Sequence, residues 1–95
     1  MTATPAAQLE LTYLTAPHCK LCEHGRAVLD DLATRLPLSI REVDLLSEEG
    51  RKLVAVGRVP FPPALFLNGE AIAHGRLSAR KLEGQLQRHL IQTGA

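Results

Sequence analysis

Tryptophan is absent from this chain, and one tyrosine and two phenylalanines are its only aromatic residues. Excess charge of one sign is also missing, because eleven Lys and Arg stand against ten Asp and Glu for a formal charge of +1. The basic residues are scattered, so neither a nucleic-acid surface nor a strongly acidic partner is indicated. No segment approaches the ~20 consecutive apolar residues of a membrane span, and Met1 to Gln8 lacks the basic start and apolar run of a signal peptide. A soluble, cytoplasmic protein without a membrane partner is expected. Internal repeats and low-complexity runs are missing too. The 95 residues, 45% of them apolar, suffice for one small domain with a single core between two layers. That domain is expected over residues 9–92, behind a flexible segment at 1–8. Cysteine is reduced to two residues, and in a reducing compartment such a pair points to redox or catalytic use rather than to a structural staple.

Those two cysteines are the most informative feature present. Cys19-Lys20-Leu21-Cys22 places two thiols one helical turn apart at the expected start of a helix. Upstream, Leu9 to Thr15 has the composition of a short strand, and Ala16-Pro17-His18 forms the loop that delivers the chain to Cys19. Downstream, Val28, Leu29, Leu32, Ala33 and Leu36 recur at three- and four-residue spacing, which predicts one apolar helix face ended by Pro37. A helix N-terminus carries unpaired N–H groups and a partial charge of about +0.5. Thiols in that setting titrate at roughly 3.5–7.5 rather than near ~8.5, so Cys19 is expected to be largely thiolate at neutral pH. Lys20 adds a weak push in the same direction. Cys22, one turn further in and less exposed, is the expected resolving thiol that attacks a mixed disulfide on Cys19.

His18 and His24 bracket the pair, which raises the question of zinc. Structural zinc takes four ligands, usually as two pairs from separate segments. This chain has no second CxxC, and all four ligands would have to close from one seven-residue stretch. Redox chemistry is therefore the expected use, with no metal and no cofactor implied. The rival from another class is a metal or iron–sulfur carrier that uses the same cysteines.

The remainder supplies a scaffold. Leu38 to Asp44 is a second strand of weaker pattern, expected at or near a sheet edge. Ser47 caps a short helix with Glu48 and Glu49 in its first turn, and Gly57 stops it. Gly50 is expected to weaken that helix by up to ~1 kcal/mol, while Leu53, Val54 and Val56 are expected to face the sheet. Ala64 to Leu67 is a third strand, Asn68-Gly69 a hairpin turn, and Ala71 to Ala73 an antiparallel fourth strand. Ser78 caps a last helix with the stripe Leu82, Leu86 and Leu90. The order is βαβαββα, an α/β fold with a four-stranded sheet and helices on both faces. Its two βα steps place the first three strands in a parallel or mixed arrangement.

From about Leu9 to Leu90 the chain resembles the thioredoxin-fold redoxins, and within them the small glutaredoxin-like branch. Two elements carry the resemblance. One is the dithiol placed between strand and helix; the other, some forty residues later, is Pro63-Ala64-Leu65-Phe66-Leu67-Asn68-Gly69. The resemblance implies a cis bond at Pro63, a thioredoxin-like fold, catalytic Cys19 and Cys22, and a substrate rim formed by Lys20, Leu21, Pro62 and Pro63. It further implies a thiol–disulfide oxidoreductase acting on a disulfide-containing protein or small molecule, with a reductase or glutathione as electron donor.

Several positions depart from the glutaredoxin pattern. The residue before the cis-proline ordinarily gives glutathione an N–H, but Pro62 has none. After the fourth strand, His74-Gly75-Arg76-Leu77-Ser78 lacks the acid that receives the glutathione amino group. The tyrosine common at the glutaredoxin dithiol is replaced by His18 and Leu21. Thioredoxins carry a Trp before the dithiol and a buried acid about six residues upstream of its first cysteine. Here Tyr13 stands at that upstream place and is expected to be core, which leaves Glu23 and His18 as candidate proton acceptors.

Overall fold

The computed structural model describes residues 8–94 of the chain. Of the expected flexible segment, residues 1–7 lie outside the described residues. The elements are β1 (Leu9–Thr15), α1 (Lys20–Ala33), β2 (Leu38–Asp44), α2 (Glu48–Gly57), β3 (Ala64–Leu67), β4 (Glu70–His74) and α3 (Ala79–Gly94), in the expected order. The sheet runs β2-β1-β3-β4, so β2 is indeed an edge strand. It is mixed: β1 and β2 are parallel, whereas β3 runs antiparallel to both β1 and β4. Only the first βα step yields a parallel pair. The antiparallel return of β3 starts that strand at the end of the sheet where β1 finishes, which is the end that carries the dithiol.

Alternation along β1 divides the core into two layers. Leu9, Leu11 and Tyr13 pack with Leu29 and Leu32 of α1 and Leu82 and Leu86 of α3. Leu14 packs on the other side with Val43, Ala64 and Phe66, under Leu53 and Val54 of α2. Strand β3 is buried at all four positions, which accounts for its unbroken apolar sequence.

Several local expectations are corrected. Helix α1 ends at Ala33, not at Pro37, with Thr34 as its cap, where the last turn tightens as the Thr34 N–H reaches the Asp31 carbonyl at 3.1 Å. Leu36 still packs against the core, but from the following turn. Ser47 caps α2 as expected, accepting the Gly50 N–H at 3.0 Å. The stop, however, is Arg58 in the left-handed conformation at φ 52°, with Gly57 inside the helix. Gly57 is small for a packing reason, since a Cβ there would press into the Phe66 ring. Gly50 likewise lets the start of α2 approach the carbonyls of Asp44 and Leu45, which a Cβ would strike. Val56 is 70% exposed and does not face the sheet. At the hairpin both Asn68 and Gly69 have positive φ, 52° and 85°, as a tight type I′ turn requires. Ser78 caps α3 through the Lys81 N–H, and the stripe buries Leu82 and Leu86, with Leu90 partly covered.

Candidate functional site

β1 ends at Thr15, and the three-residue loop after it turns sharply at His18, which sits at φ 56°. That left-handed conformation is uncommon for a residue with a side chain. It swings Cys19 into an extended geometry as the N-cap of α1. The Cys19 sulfur accepts the backbone N–H of Cys22 at 3.1 Å, so it satisfies one of the donors that a helix start leaves unpaired. Cys19 and Cys22 are joined as a disulfide with their Cα atoms 5.1 Å apart. Cys22 is only 6% exposed, while Cys19 stands nearer the surface. The outer sulfur is therefore the one an external disulfide can meet.

Beneath the pair lies Tyr13, which is fully buried. Its hydroxyl donates to the Cys22 carbonyl oxygen at 2.8 Å. Room for that hydroxyl comes from Gly25, where a Cβ would collide with it. Burial pushes the Tyr13 phenol up to about 12; the Glu42 carboxylate adds to this and the Arg26 guanidinium opposes it.

A cleft of about 360 Å³ opens beside the disulfide, walled by Cys19, Cys22, Glu23, Arg26, Thr15 and Glu42. The Thr15 hydroxyl donates to Glu42 at 3.1 Å, and Arg26 reaches the other oxygen of Glu42 at 3.4 Å while also pairing with Asp30. Sequence reasoning missed Thr15, Arg26 and Glu42. Strand parity carried the signal: Glu42 follows Leu38 and Ile40 at two-residue steps, and Thr15 follows Leu11 and Tyr13, so both side chains point toward the α1 layer. Glu23 and His18, the candidate proton acceptors, also line this cleft.

The expected substrate rim is divided between two sides of β1. Lys20 is exposed and Leu21 half-buried in the first turn of α1. Pro63 is buried and Pro62 partly so, across on the β3 side. Because Ala64 pairs with Leu14, Pro63 begins β3 next to the end of β1. The Pro62–Pro63 bond is cis. The loop after β4 braces this segment, with the Gly75 N–H on the Pro63 carbonyl at 2.7 Å and the Phe61 ring edge-on to His74 at 5.7 Å. Among the described residues no group of three or more His, Cys, Asp or Glu is gathered in a way that could hold a metal ion, and no helix is long and apolar enough to cross a membrane.

The fold recurs in solved structures. A mutant thioredoxin from Halobacterium salinarum NRC-1 superposes with a TM-score of 0.65 at 22% identity, over 86% of this chain and 74% of that one. The fold is thioredoxin-like. A thioredoxin from Thermus thermophilus gives a TM-score of 0.65 at 20% identity, over 93% of this chain and 78% of its own. Glutaredoxin 1 from Francisella tularensis, complexed with cacodylate, gives 0.51 at 17% identity, over 87% and 98%. No protein-family model and no curated protein matches the chain. Likeness at this level of identity concerns the thioredoxin-like fold alone.

Proposed function

We propose that this chain is a small cytoplasmic thiol–disulfide oxidoreductase, a glutaredoxin-like redoxin that reduces disulfides in proteins or small molecules. The observation that carries this reading is the Cys19–Cys22 disulfide at the N-terminus of α1, with the outer sulfur accepting a first-turn N–H and the inner one buried. In the reduced protein the Cys19 thiolate attacks one sulfur of the substrate disulfide. A mixed disulfide forms, and the first substrate thiolate departs with the bonding pair and takes a proton. The Cys22 thiol, deprotonated, then attacks the Cys19 sulfur. That closes the Cys19–Cys22 bond and releases the second substrate thiolate, so the protein dithiol is oxidised by two electrons and the substrate disulfide is reduced to two thiols.

The helix start supports the first step, since a thiolate there is stabilised by the free N–H groups and the peptide dipoles. Lys20, Leu21, Pro62 and Pro63 form the rim on which the substrate chain lies. An electron donor, either glutathione or a reductase, must return the dithiol to its reduced form.

The test is insulin reduction by dithiothreitol with the chain present in catalytic amounts. Acceleration above the uncatalysed rate, abolished by Cys19→Ser, is the expected result. A rate equal to the background would reject the assignment.

A further inference from the structure

Tyr13 is buried, titratable and unused by the exchange chemistry just described. It sits on β1, paired with Glu42 of β2 on one side and Leu65 of β3 on the other. Its backbone is thus held in the middle of the sheet. Its hydroxyl reaches out of the sheet to the Cys22 carbonyl. Inside a helix, a first-turn carbonyl already accepts an N–H from the next turn, so the phenol does not rescue an orphan acceptor.

The arrangement carries two local costs. A phenolic hydroxyl is buried where a phenylalanine would need no partner, and a glycine occupies a helix interior where alanine is better by roughly 0.5–1 kcal/mol. A Phe at 13 with an Ala at 25 would avoid both. What the present pair supplies instead is a strut from an interior strand, paired on both sides, to the residue that carries the resolving sulfur.

We infer that Tyr13 is a positioning residue for the resolving thiol, its hydroxyl, admitted by Gly25, anchoring Cys22 so that the Cys22 sulfur meets the mixed disulfide on Cys19. This rests on the proposed exchange function and extends it to the closing step. First turns of helices fray, and a displacement of the attacking sulfur by about 1 Å is enough to slow an intramolecular displacement substantially. Burial keeps the phenol protonated up to about pH 12, so it remains a donor over the whole range in which thiols titrate. The titratable and charged groups that share the cleft with Cys22 are Glu23, Arg26, Glu42 and His18, and the substitutions at residues 13 and 25 replace none of them.

The test uses the reduced full chain and 5,5′-dithiobis(2-nitrobenzoate), which releases one coloured thiolate when Cys19 attacks and a second when Cys22 closes the ring. Wild type, Tyr13→Phe, Gly25→Ala and the double variant are compared. In Tyr13→Phe the first phase should stay within about twofold of wild type. Its second phase should slow by about threefold to tenfold, with an unchanged pH midpoint. Gly25→Ala should also slow the second phase, by displacing the hydroxyl. The double variant should be within about twofold of Tyr13→Phe, because loss of the hydroxyl removes the severe clash and leaves the methyl only close contacts of 3.1 Å with the ring carbon and 3.2 Å with Leu77.

An unchanged second phase, equal slowing of both phases, a shifted pH midpoint or additive effects in the double variant would each overturn the inference. Should Tyr13→Phe fail to fold, Gly25→Ala carries the same two-phase comparison. Each phase reports a thiol of this chain directly. Release of only one equivalent by wild type would instead count against the exchange function itself.

Discussion

Ala64 is the antiparallel partner of Leu14, and this register assembles the site from two distant parts of the chain. From Leu14 the chain runs through Thr15 and the loop to Cys19; one residue before Ala64 is Pro63. The dithiol and the proline loop therefore share one end of the sheet, with the proline loop on the β3 side of β1 and the Glu42 wall of the dithiol cleft on the β2 side. Had β3 run parallel to β1, its first residue would lie at the far end of the sheet, away from Cys19.

The buried phenol makes a prediction about alkaline pH. In the folded chain Tyr13 titrates at about 12 rather than at its ordinary 10, chiefly because burial disfavours the phenolate. The unfolded chain gives up that proton first. The stability associated with it is fully present below pH ~10 and is lost as pH rises through 10 toward 12, by about 2 to 3 kcal/mol in all. Since the chain has a single tyrosine and no tryptophan, near-ultraviolet absorbance reports this group alone. Phenolate should appear only near pH 12 or together with unfolding. Ionisation with a midpoint near pH 10 in a chain that circular dichroism shows still folded would contradict the buried hydrogen bond.

The division of labour between the cysteines predicts an asymmetric pair of variants. Cys22→Ser leaves the outer thiol able to attack but removes the group that resolves the product, so it should accumulate a stable mixed disulfide on Cys19. Cys19→Ser should show no exchange, because Cys22 is 6% exposed. In the reduced wild type, iodoacetamide should label Cys19 faster, with a pH midpoint below the ~8.5 of free cysteine. Mass spectrometry of the trapped species decides the matter, and preferential labelling of Cys22 would reverse the roles.

Glycines in the helices should respond in opposite directions to the same substitution. Gly84 of α3 has open space, a Cβ there meeting only the far end of Arg88 at 3.7 Å. Gly84→Ala should stabilise by about 0.5–1 kcal/mol through helix propensity. At Gly57 a Cβ would come within 2.8 Å of the Phe66 ring and 3.1 Å of Ala71. Gly57→Ala should destabilise by about 1–3 kcal/mol, as overpacking does in a filled core. Midpoints of urea unfolding read both effects, and a Gly57→Ala variant as stable as wild type would mean that α2 does not press on β3 as described.

Much of this was legible in the sequence because the signals are local. The dithiol, the Ser47 and Ser78 caps, the Asn68-Gly69 turn and the apolar run of β3 each declare themselves within a few residues. What the sequence left hidden depends on distance in three dimensions. Gly57 reads as a helix stop and Gly25 carries no local signal, and only the approach of Phe66 and Tyr13 explains them. Glu42 lies on an edge strand, and only the parallel register sets it against Tyr13 and within reach of Arg26 of α1. Val56 fitted an apolar stripe by composition, but helical geometry turns 53, 54 and 57 inward and leaves it outside.

The electron donor is the last expectation, and it turns on hydrogen bonds the chain lacks. Pro62, just before the cis bond to Pro63, has no N–H to offer a peptide backbone lying along the rim. The turn after β4 presents His74, Gly75 and Arg76, without a carboxylate to receive an ammonium group, and its Gly75 N–H is already committed to the Pro63 carbonyl. A lost neutral hydrogen bond is worth about 0.5–1.5 kcal/mol and a charged one about 1.5–3, so the two together should weaken glutathione recognition by roughly one to three decades. Turnover of one disulfide substrate is to be compared with glutathione plus its reductase and with a thioredoxin reductase. The expected outcome is slow, non-saturating turnover with glutathione and faster turnover with the flavoprotein. Efficient saturation at low millimolar glutathione, with no response to the flavoprotein, would show that the tripeptide is held by contacts other than these two.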